Sequence, residues 1–359
     1  MNPSRLVFAA LLCIAGTASA QSNVTLFGLV DLNLSQYKAG NRVGGATRNV
    51  MNDGTTNGHN GSRWGIRVSE DLGDGLRANA VLEGGLLADT GTLAQGGRGF
   101  GRQAYVGLSS PKWGELRLGR QYILEDGVMG LTDPMGNGLV SNPGTGVTNA
   151  GRSLPMWLNA PRADNVVQYG TPTWGGFRAA VQAAPGEGTT DRFHGVMASY
   201  AAGRVAAAVS YEWNKSRSTG DDTNKSLTIG ANYDFGPVKL LGGYQGNRSL
   251  ALGSGNGAAS GVSNLIVTGA TTFTADRSTG YTIGVEVPVG LFTYGANYTT
   301  VKFQAANGSQ ADLGKAALVA RYLFSKNTLV YTGVSLATGD LKNYISEERV
   351  IQAGLRMAF

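Results

Sequence analysis

The side chains that could carry out catalysis are few in this sequence and lie far apart. The two histidines, His59 and His194, have no HExxH or GxSxG sequence around them. Asp53, Asp126 and Asp133 could be combined with His59 into a metal or hydrolytic site, but they belong to separate loop segments. The pattern therefore predicts neither an enzyme nor a bound cofactor.

The first twenty residues have the composition of a secretory signal peptide. A basic start is followed by an apolar run from Leu6 to Ala15, and residues 18–20 form a small-x-small cleavage site. The single cysteine, Cys13, falls inside this segment, so the predicted mature chain, residues 21–359, has no thiol. Disulfide bonds, zinc–thiolate sites and cysteine nucleophiles are therefore excluded for the mature chain.

Composition narrows the class of the protein. The 359 residues include 55 glycines and only 10 prolines, and the formal net charge is +6. Glycine at this frequency, without the three-residue period of collagen, is typical of curved strands. No run of Lys and Arg with interleaved aromatic residues indicates nucleic acid, and no apolar run of eighteen residues follows Ala20. Two classes remain, a soluble β-helix or adhesin and an outer-membrane β-barrel.

Most of the mature chain alternates between apolar and polar residues with a period of two. In residues 62–72 one face is apolar, and Arg63 and Arg67 lie on the other. In residues 76–88 the same rule puts Arg77 on the polar face. In a membrane barrel the apolar face contacts lipid, so these arginines are expected to face the lumen.

Sixteen segments alternate in this way. They are residues 24–37, 62–72, 76–88, 98–109, 115–122, 162–169, 177–184, 193–201, 204–214, 226–235, 238–247, 280–287, 291–303, 314–324, 328–337 and 349–359. Seven short turns and eight longer loops separate them, an asymmetry typical of bacterial barrels. A soluble sandwich also alternates but rarely needs sixteen strands. The sequence therefore predicts an all-β fold, a 16-stranded antiparallel transmembrane β-barrel, in one domain of residues 21–359.

One loop is far longer than a compact domain usually keeps. Residues 123–161 are rich in Gly, Asn, Pro and Thr and show neither a helical nor an alternating pattern. Loops of this length without secondary structure are usually functional. We therefore expect this loop, the third on its side, to fold into the lumen and to form the constriction of a pore.

Six motifs stand out along the mature chain: residues 24–28, 62–66, 102–108, 114–121 and 162–169, and the terminal Phe359. These motifs resemble those of the sixteen-stranded general diffusion porins of Gram-negative bacteria, most closely their β-proteobacterial branch. They keep their order over the whole mature chain. The resemblance implies a homotrimer of water-filled barrels in the outer membrane, each narrowed by its third surface loop. It also implies that Phe359 is part of the signal read by the membrane-insertion machinery.

The resemblance further implies a constriction in which basic wall residues face acids on the long loop. The wall arginines correspond to Arg63, Arg102 and Arg162, and the loop acids to Asp133 and Asp126. Arg102 shares parity with apolar outward positions, so its inward direction rests on the resemblance. The enterobacterial pattern has a second acid shortly after the proline of the loop, and here residues 135–138 contain none. A ring dominated by arginine predicts a mild anion preference.

Other charged residues are assigned by parity. Arg67, Arg77 and Arg117 are expected to face the lumen. Arg120 shares parity with the outward residues of its strand, where a guanidinium facing lipid would cost about 2 to 4 kcal/mol at mid-membrane. A pair with Asp89 on the second loop of a neighbouring barrel would remove that cost, so Arg120 and Asp89 are predicted to form a trimer contact.

The predicted function is that of an outer-membrane general porin, through which ions and small hydrophilic solutes diffuse passively. The expected partners are two further copies of the chain, outer-membrane lipid and lipopolysaccharide, and the diffusing solutes. The alternatives are a substrate-selective porin, or a barrel that acts chiefly as a surface receptor or adhesin. A sugar-selective channel usually lines its path with aromatic rings, and the long loop offers only Trp157.

Overall fold

The computed structural model describes residues 22–136, 156–157, 160–250, 266–267, 271–272 and 275–359. The predicted signal peptide, residues 1–20, lies outside the described residues, as do residues 137–155 of the long loop. Nowhere in these ranges is a helix both long and apolar enough to cross a membrane.

Sixteen antiparallel strands form one closed wall. They are β1 (Ser22–Lys38), β2 (Arg63–Gly73), β3 (Leu76–Leu87), β4 (Gln103–Ser110), β5 (Gly114–Tyr122), β6 (Arg162–Gly170), β7 (Phe177–Ala184), β8 (Arg192–Ala202), β9 (Val205–Lys215), β10 (Asp222–Asp234), β11 (Lys239–Arg248), β12 (Ala275–Val289), β13 (Phe292–Ala305), β14 (Gln310–Leu323), β15 (Thr328–Thr338) and β16 (Arg349–Ala358). Each strand pairs with the next, and β16 pairs with β1 from Leu29 opposite Ala358 to Lys38 opposite Arg349. The prediction of a 16-stranded antiparallel barrel is confirmed.

The loops contain short elements of their own. These are the strands Thr47–Asp53, Thr92–Leu93, Ile266–Val267 and Thr271–Thr272, the helices Gly54–Asn57, Ala94–Gly97 and Leu124–Met129, and the 3-10 turns Asn41–Val43 and Asp340–Tyr344. The pairing of β1 with β2 stops at Leu29, opposite Arg63. Thr47–Asp53 continues the wall beyond this point, because it pairs with residues 32–38 of β1. We call Leu124–Met129 the loop helix, since it opens the long loop that follows β5.

The distribution of apolar and polar side chains is the reverse of that in a soluble protein. Large apolar side chains such as Ile283, Leu318 and Val24 are more than three-fifths exposed on the outer face. The inward positions between them carry buried polar side chains, for example Thr228 and Gln245. An apolar outer face and a polar interior are what a barrel surrounded by lipid requires.

Turns at one end of the barrel are tight, and the connections at the other end are longer. Between β2 and β3, Asp74 and Gly75 both have positive φ, 51° and 77°. Such a two-residue turn matches the right-handed twist of the paired strands, which explains its Asp-Gly sequence. In bacterial barrels the tight turns are periplasmic, so the longer loops mark the extracellular end.

Candidate pore constriction

The three predicted wall arginines lie close together, and two of them bond to one tyrosine. Arg63 begins β2, Arg102 precedes β4 and Arg162 begins β6, so all three lie at the extracellular end of alternate strands. Arg102 and Arg162 each donate a hydrogen bond from Nη2 to the hydroxyl of Tyr122, at 2.6 and 2.7 Å. The Arg162 guanidinium also lies over the Tyr122 ring, 4.3 Å from its centroid. We call Arg63, Arg102 and Arg162 the arginine wall.

A wall carboxylate that the sequence did not single out lies at the centre of this set. Glu83 on β3 accepts hydrogen bonds from Arg102 Nε at 2.5 Å and from Gln103 Nε2 at 2.6 Å. Arg63 Nη1 lies 3.5 Å from the same carboxylate. Arg102 is buried inside the barrel although alternation would direct it outward, because it precedes the paired part of β4. Alternation placed Glu83 and its partner Arg63 on the inward face, but directed Arg102 outward.

Asp126 is the loop acid that faces the arginine wall. It lies on the loop helix, where Arg162, Arg102 and Arg63 all act on its charge. Burial in the lumen raises the pKa of Asp126 to about 6, although the three guanidinium groups act to lower it. Among the residues that the structure describes here, three wall cations therefore face two carboxylates, those of Glu83 and Asp126, and their summed charge is positive.

Asp133 lies at another part of the wall. Its Oδ1 accepts a hydrogen bond from the backbone N–H of Met135 at 3.0 Å. Its charge acts on Lys315 of β14, whose side chain is 2% exposed. The two predicted loop acids are thus separated, one acting on the arginine wall and the other on Lys315. Sequence alternation could not reveal Lys315, because it shares its face with the buried apolar residues of β14.

The long loop is attached to the opposite wall by hydrogen bonds from its helix. The carboxylate of Glu125 accepts from Ser226 Oγ at 3.0 Å and from Gln245 Nε2 at 2.7 Å. Its backbone N–H donates to the carboxylate of Glu212 at 2.8 Å. Further along, the carbonyl of Leu131 accepts from an amide on β10. These bonds hold the start of the loop against β9, β10 and β11.

Glycines on the same wall leave the space that the loop occupies. We call them the glycine face: Gly230, Gly243, Gly280, Gly284 and Gly295. A Cβ added at Gly230 would lie 2.7 Å from the carbonyl oxygen of Val128, and one at Gly243 would lie 2.8 Å from Thr132 Cγ2. At Gly295 it would lie 2.9 Å from Pro134 Cβ. Side chains at Gly230, Gly243, Gly280 and Gly295 would overlap the loop, whereas at Gly284 the nearest loop atom, Pro134 Cδ, would be 3.7 Å away. The space that the loop needs explains part of the high glycine content.

A second segment, which the sequence pattern did not predict, also folds into the lumen. Residues 54–61, between β1 and β2, lie against the inner face of β1, β15 and β16. The carboxylate of Asp31 accepts from the backbone N–H of Asn60 at 2.6 Å and from the Tyr331 hydroxyl at 2.5 Å. Gly61 O accepts from Arg63 Nε at 2.8 Å, which joins this segment to the arginine wall. Its only signal in the sequence was its polar composition.

The other predicted lumen arginines lie nearer the periplasmic end. Arg67 stacks over the ring of Phe27 at 4.8 Å. Arg117 lies 5.0 Å from the centroid of Tyr105 and donates a hydrogen bond to Glu115 at 2.8 Å. Arg77, next to the β2–β3 turn, lies 3.6 Å from the carboxylate of Asp71. All three are on the face that alternation assigned to the lumen.

Arg120 has partners within its own chain. A register shift between Gly119 and Gln121 places it beside Asp164 of β6, and Arg120 Nη1 pairs with that carboxylate. Its Nε donates to the carbonyl of Gly101 at 2.7 Å. The charge of Arg120 is therefore compensated without a neighbouring barrel, which removes the reason given for its pairing with Asp89. Asp89 is exposed on the second loop and has no ion pair with any described residue.

Phe359 closes the barrel at its last position. Its backbone N–H donates to Gly28 O and its carbonyl accepts from Gly28 N–H, both at 3.0 Å. The ring remains 59% exposed at the periplasmic end of the outer face. This position is compatible with the predicted insertion signal.

The histidines show no catalytic arrangement. His59 Nδ1 bonds to Asn60, its ring lies 5.6 Å from that of Tyr331, and burial lowers its pKa to about 4. His194 stacks on Trp213 at 5.1 Å. The described residues include no group of His, Cys, Asp or Glu side chains that could hold a metal ion.

Comparisons with known proteins agree with this architecture. The family model described as Gram-negative porin matches residues 7–341. An outer membrane porin protein of Bordetella pertussis is 35% identical over 272 residues, which cover 68% of this chain and 69% of the relative. Outer membrane porin protein 32 of Delftia acidovorans is also 35% identical, over 66% of this chain and 67% of the relative.

Solved structures show the same fold. An anion-selective porin from Comamonas acidovorans has a TM-score of 0.73 at 24% identity and covers 94% of this chain and 100% of its own. OmpF of Salmonella typhi has a TM-score of 0.67 at 17% identity, with 94% of this chain and 97% of its own covered. Together with the family match and the inward loop, these findings show that the chain belongs to the Gram-negative porins and is an outer-membrane porin, a channel for passive diffusion.

Proposed function

We propose that the aperture between the arginine wall and the loop helix is the constriction of this porin and that it favours small anions. The observation that carries the proposal is the surplus of positive charge: among the described residues, Arg63, Arg102 and Arg162 face the carboxylates of Glu83 and Asp126. A ring of arginines lowers the energy of an anion in the pore and raises that of a cation. The similar porin from Comamonas acidovorans is described as anion-selective, which supports the proposal.

The channel is proposed to be general rather than specific for one sugar. Trp157, the aromatic residue of the long loop, is 3% exposed and packs in a cluster with Phe303 and Leu341. A buried ring offers no stacking surface to a passing sugar. We further propose that residues 1–20 are a cleaved signal peptide, that the barrel has no catalytic activity, and that lipopolysaccharide surrounds its extracellular half.

The test of the anion preference is the reversal potential of single channels in a KCl gradient across a planar bilayer. We expect a potential of the sign that chloride permeation produces, with residual potassium permeation because two carboxylates remain near the aperture. A reversal potential of the opposite sign would refute the proposed preference. Saturable block of the current by one sugar or amino acid would instead favour a substrate-selective porin.

The trimer is proposed on different grounds. Asp89 is exposed on the second loop and unpaired with any described residue, so it is available to a neighbouring barrel. Arg120→Ala should remove the ion pair with Asp164 within the same chain. Asp89→Ala, in contrast, should lower the temperature at which the trimer dissociates in detergent gels. The exposed Asp74, in a periplasmic turn, gives the matched variant Asp74→Ala. Equal melting of the trimers of Asp89→Ala and Asp74→Ala would exclude Asp89 from the contact.

A further inference from the structure

Four cationic side chains form a row on the outer face of the barrel. They are Lys225 on β10, Arg248 on β11, Arg277 on β12 and Lys302 on β13, and we call them the cation row. Alternation places each on the face that carries the exposed apolar side chains of its strand. Arg248, Arg277 and Lys302 are exposed, and Lys225 is half-buried. The row therefore points away from the pore.

Strand register brings these charges close together. Lys225 is directly opposite Arg248, and Arg248 is directly opposite Arg277. Lys302 is opposite Thr279, two residues from Arg277 along β12. Neighbouring strands are about 4.8 Å apart, and like charges directly opposite each other are destabilising. A bound anion would relieve this repulsion.

Acids of the same chain neutralise the row only in part. Lys225 lies 4.0 Å from Asp222, and Arg277 lies 3.5 Å from Asp276. Asp312 of β14 lies directly opposite Lys302. Arg248 has only Lys225 and Arg277 directly opposite it and no ion pair within the described part of the chain. Four cations therefore face three acids at this part of the outer surface.

Aromatic and apolar side chains lie directly below the row, toward the middle of the membrane. Tyr244 and Tyr281 are in contact, with ring centroids 5.3 Å apart, and Tyr211 and Leu227 adjoin them. Tyr211, Leu227, Tyr244 and the four cations line a cleft of about 590 Å³, together with polar groups such as Asn247 and Ser278. Because the row is at the long-loop end of its strands, this cleft opens at the level of the outer leaflet.

We propose that the cation row binds the phosphate groups of lipopolysaccharide, with the acyl chains against the tyrosines below. An anionic head group attached to lipid chains matches this arrangement, in which cations and polar groups line the cleft and exposed tyrosine and leucine side chains lie below. The inference deepens the proposed lipopolysaccharide contact and rests on it. The row lies on the opposite side of the ring from Asp89, so a trimer formed through the second loop would leave it facing lipid.

The test uses the full mature protein in detergent and lipopolysaccharide with a bisphosphorylated lipid A as the probe. The variant Arg248→Gln/Arg277→Gln/Lys302→Gln should bind the probe at least about tenfold more weakly than wild type, since each cation near an anionic lipid surface contributes to binding. The control Lys112→Gln/Arg204→Gln/Lys326→Gln makes the same charge change in exposed periplasmic turns and should bind normally. Arg248→Lys/Arg277→Lys keeps the charge and should also bind.

Two further binding measurements test whether the lipid phosphate groups are what the cation row recognises. Dephosphorylated lipopolysaccharide should bind wild type no better than it binds the triple glutamine variant, and inorganic phosphate should not compete at equal concentration. Unchanged binding by the triple variant, or an equal loss in the control, would overturn the site. Single-channel conductance, measured in the same preparations, should be unchanged, so that failure of the lipid site is distinguished from failure of the proposed pore function.

Discussion

The arginine wall and the glycine face lie on different sides of one lumen and contribute in different ways. On the arginine wall, long side chains reach Tyr122 and bring their charges toward Asp126. On the glycine face, the absence of side chains lets the backbone of the long loop contact the barrel at Gly230 and Gly243. The charge of the aperture is therefore determined on one side, and its width is determined by the space available on the other.

This comparison separates two kinds of substitution. Changes on the arginine wall should alter ion selectivity while the loop stays in place. Changes on the glycine face should move the loop and alter conductance, with selectivity affected only secondarily.

Filling the glycine face should displace the loop. In Gly243→Val the new side chain would overlap Thr132, and overpacking of this kind costs about 1 to 3 kcal/mol. We expect the loop to shift toward the arginine wall and single-channel conductance to fall clearly. Gly242→Val is the matched control, because a Cβ at Gly242 would meet nothing closer than Thr282 O at 3.8 Å. Equal conductance in the two variants would show that the loop does not depend on this space.

Removing the attachment of the loop helix should have a smaller effect. Glu125→Ala deletes the acceptor of Ser226 and Gln245, and a buried partner left unsatisfied costs about 1 to 3 kcal/mol. We expect noisier channels in bilayer recordings, because the helix is less firmly held. Glu187→Ala, an exposed acid in the β7–β8 loop, should leave the noise unchanged. If the current noise of Glu125→Ala channels equals that of wild type, the remaining contacts are enough to hold the loop helix in place.

The smallest predicted effect is on the pH dependence of selectivity. Since the pKa of Asp126 is about 6, its carboxylate is mostly charged at pH 7 and mostly neutral at pH 5. The arginines stay charged over this range, so chloride preference should increase as the pH falls from 7 to 5. Asp126→Asn should show at pH 7 the selectivity that wild type reaches at pH 5, with little further change. A pH dependence that persists in Asp126→Asn would assign the titration to another group.

The sequence predicted the barrel well because the alternation of apolar and polar residues has a direct physical cause. Lipid selects apolar side chains at every second position, and tight turns require residues such as Asp74 and Gly75. Strand ends were less predictable: β12 begins at Ala275, five residues before the alternating segment. Beyond the lipid, outward residues need not be apolar, so the pattern ends before the strand does.

The constriction was predictable only in part. Arg63 followed from alternation, whereas Arg102 lies outside the paired region and needed the family resemblance. The positions of Asp126 and Asp133 depend on how the long loop crosses the lumen, which is determined by contacts distant in sequence. The inward segment of residues 54–61 was missed for the same reason, because its hydrogen bonds are made to Asp31 and Tyr331.

The most direct test of the account is the ion selectivity of Arg63→Ser/Arg162→Ser. Removing two of the three wall cations should move the reversal potential in a KCl gradient toward potassium and increase conductance, because charge and bulk are both lost at the aperture. The control Arg204→Ser/Lys326→Ser removes the same charge from periplasmic turns and should keep the selectivity of wild type. If Arg63→Ser/Arg162→Ser also keeps that selectivity, the arginine wall does not determine which ions pass.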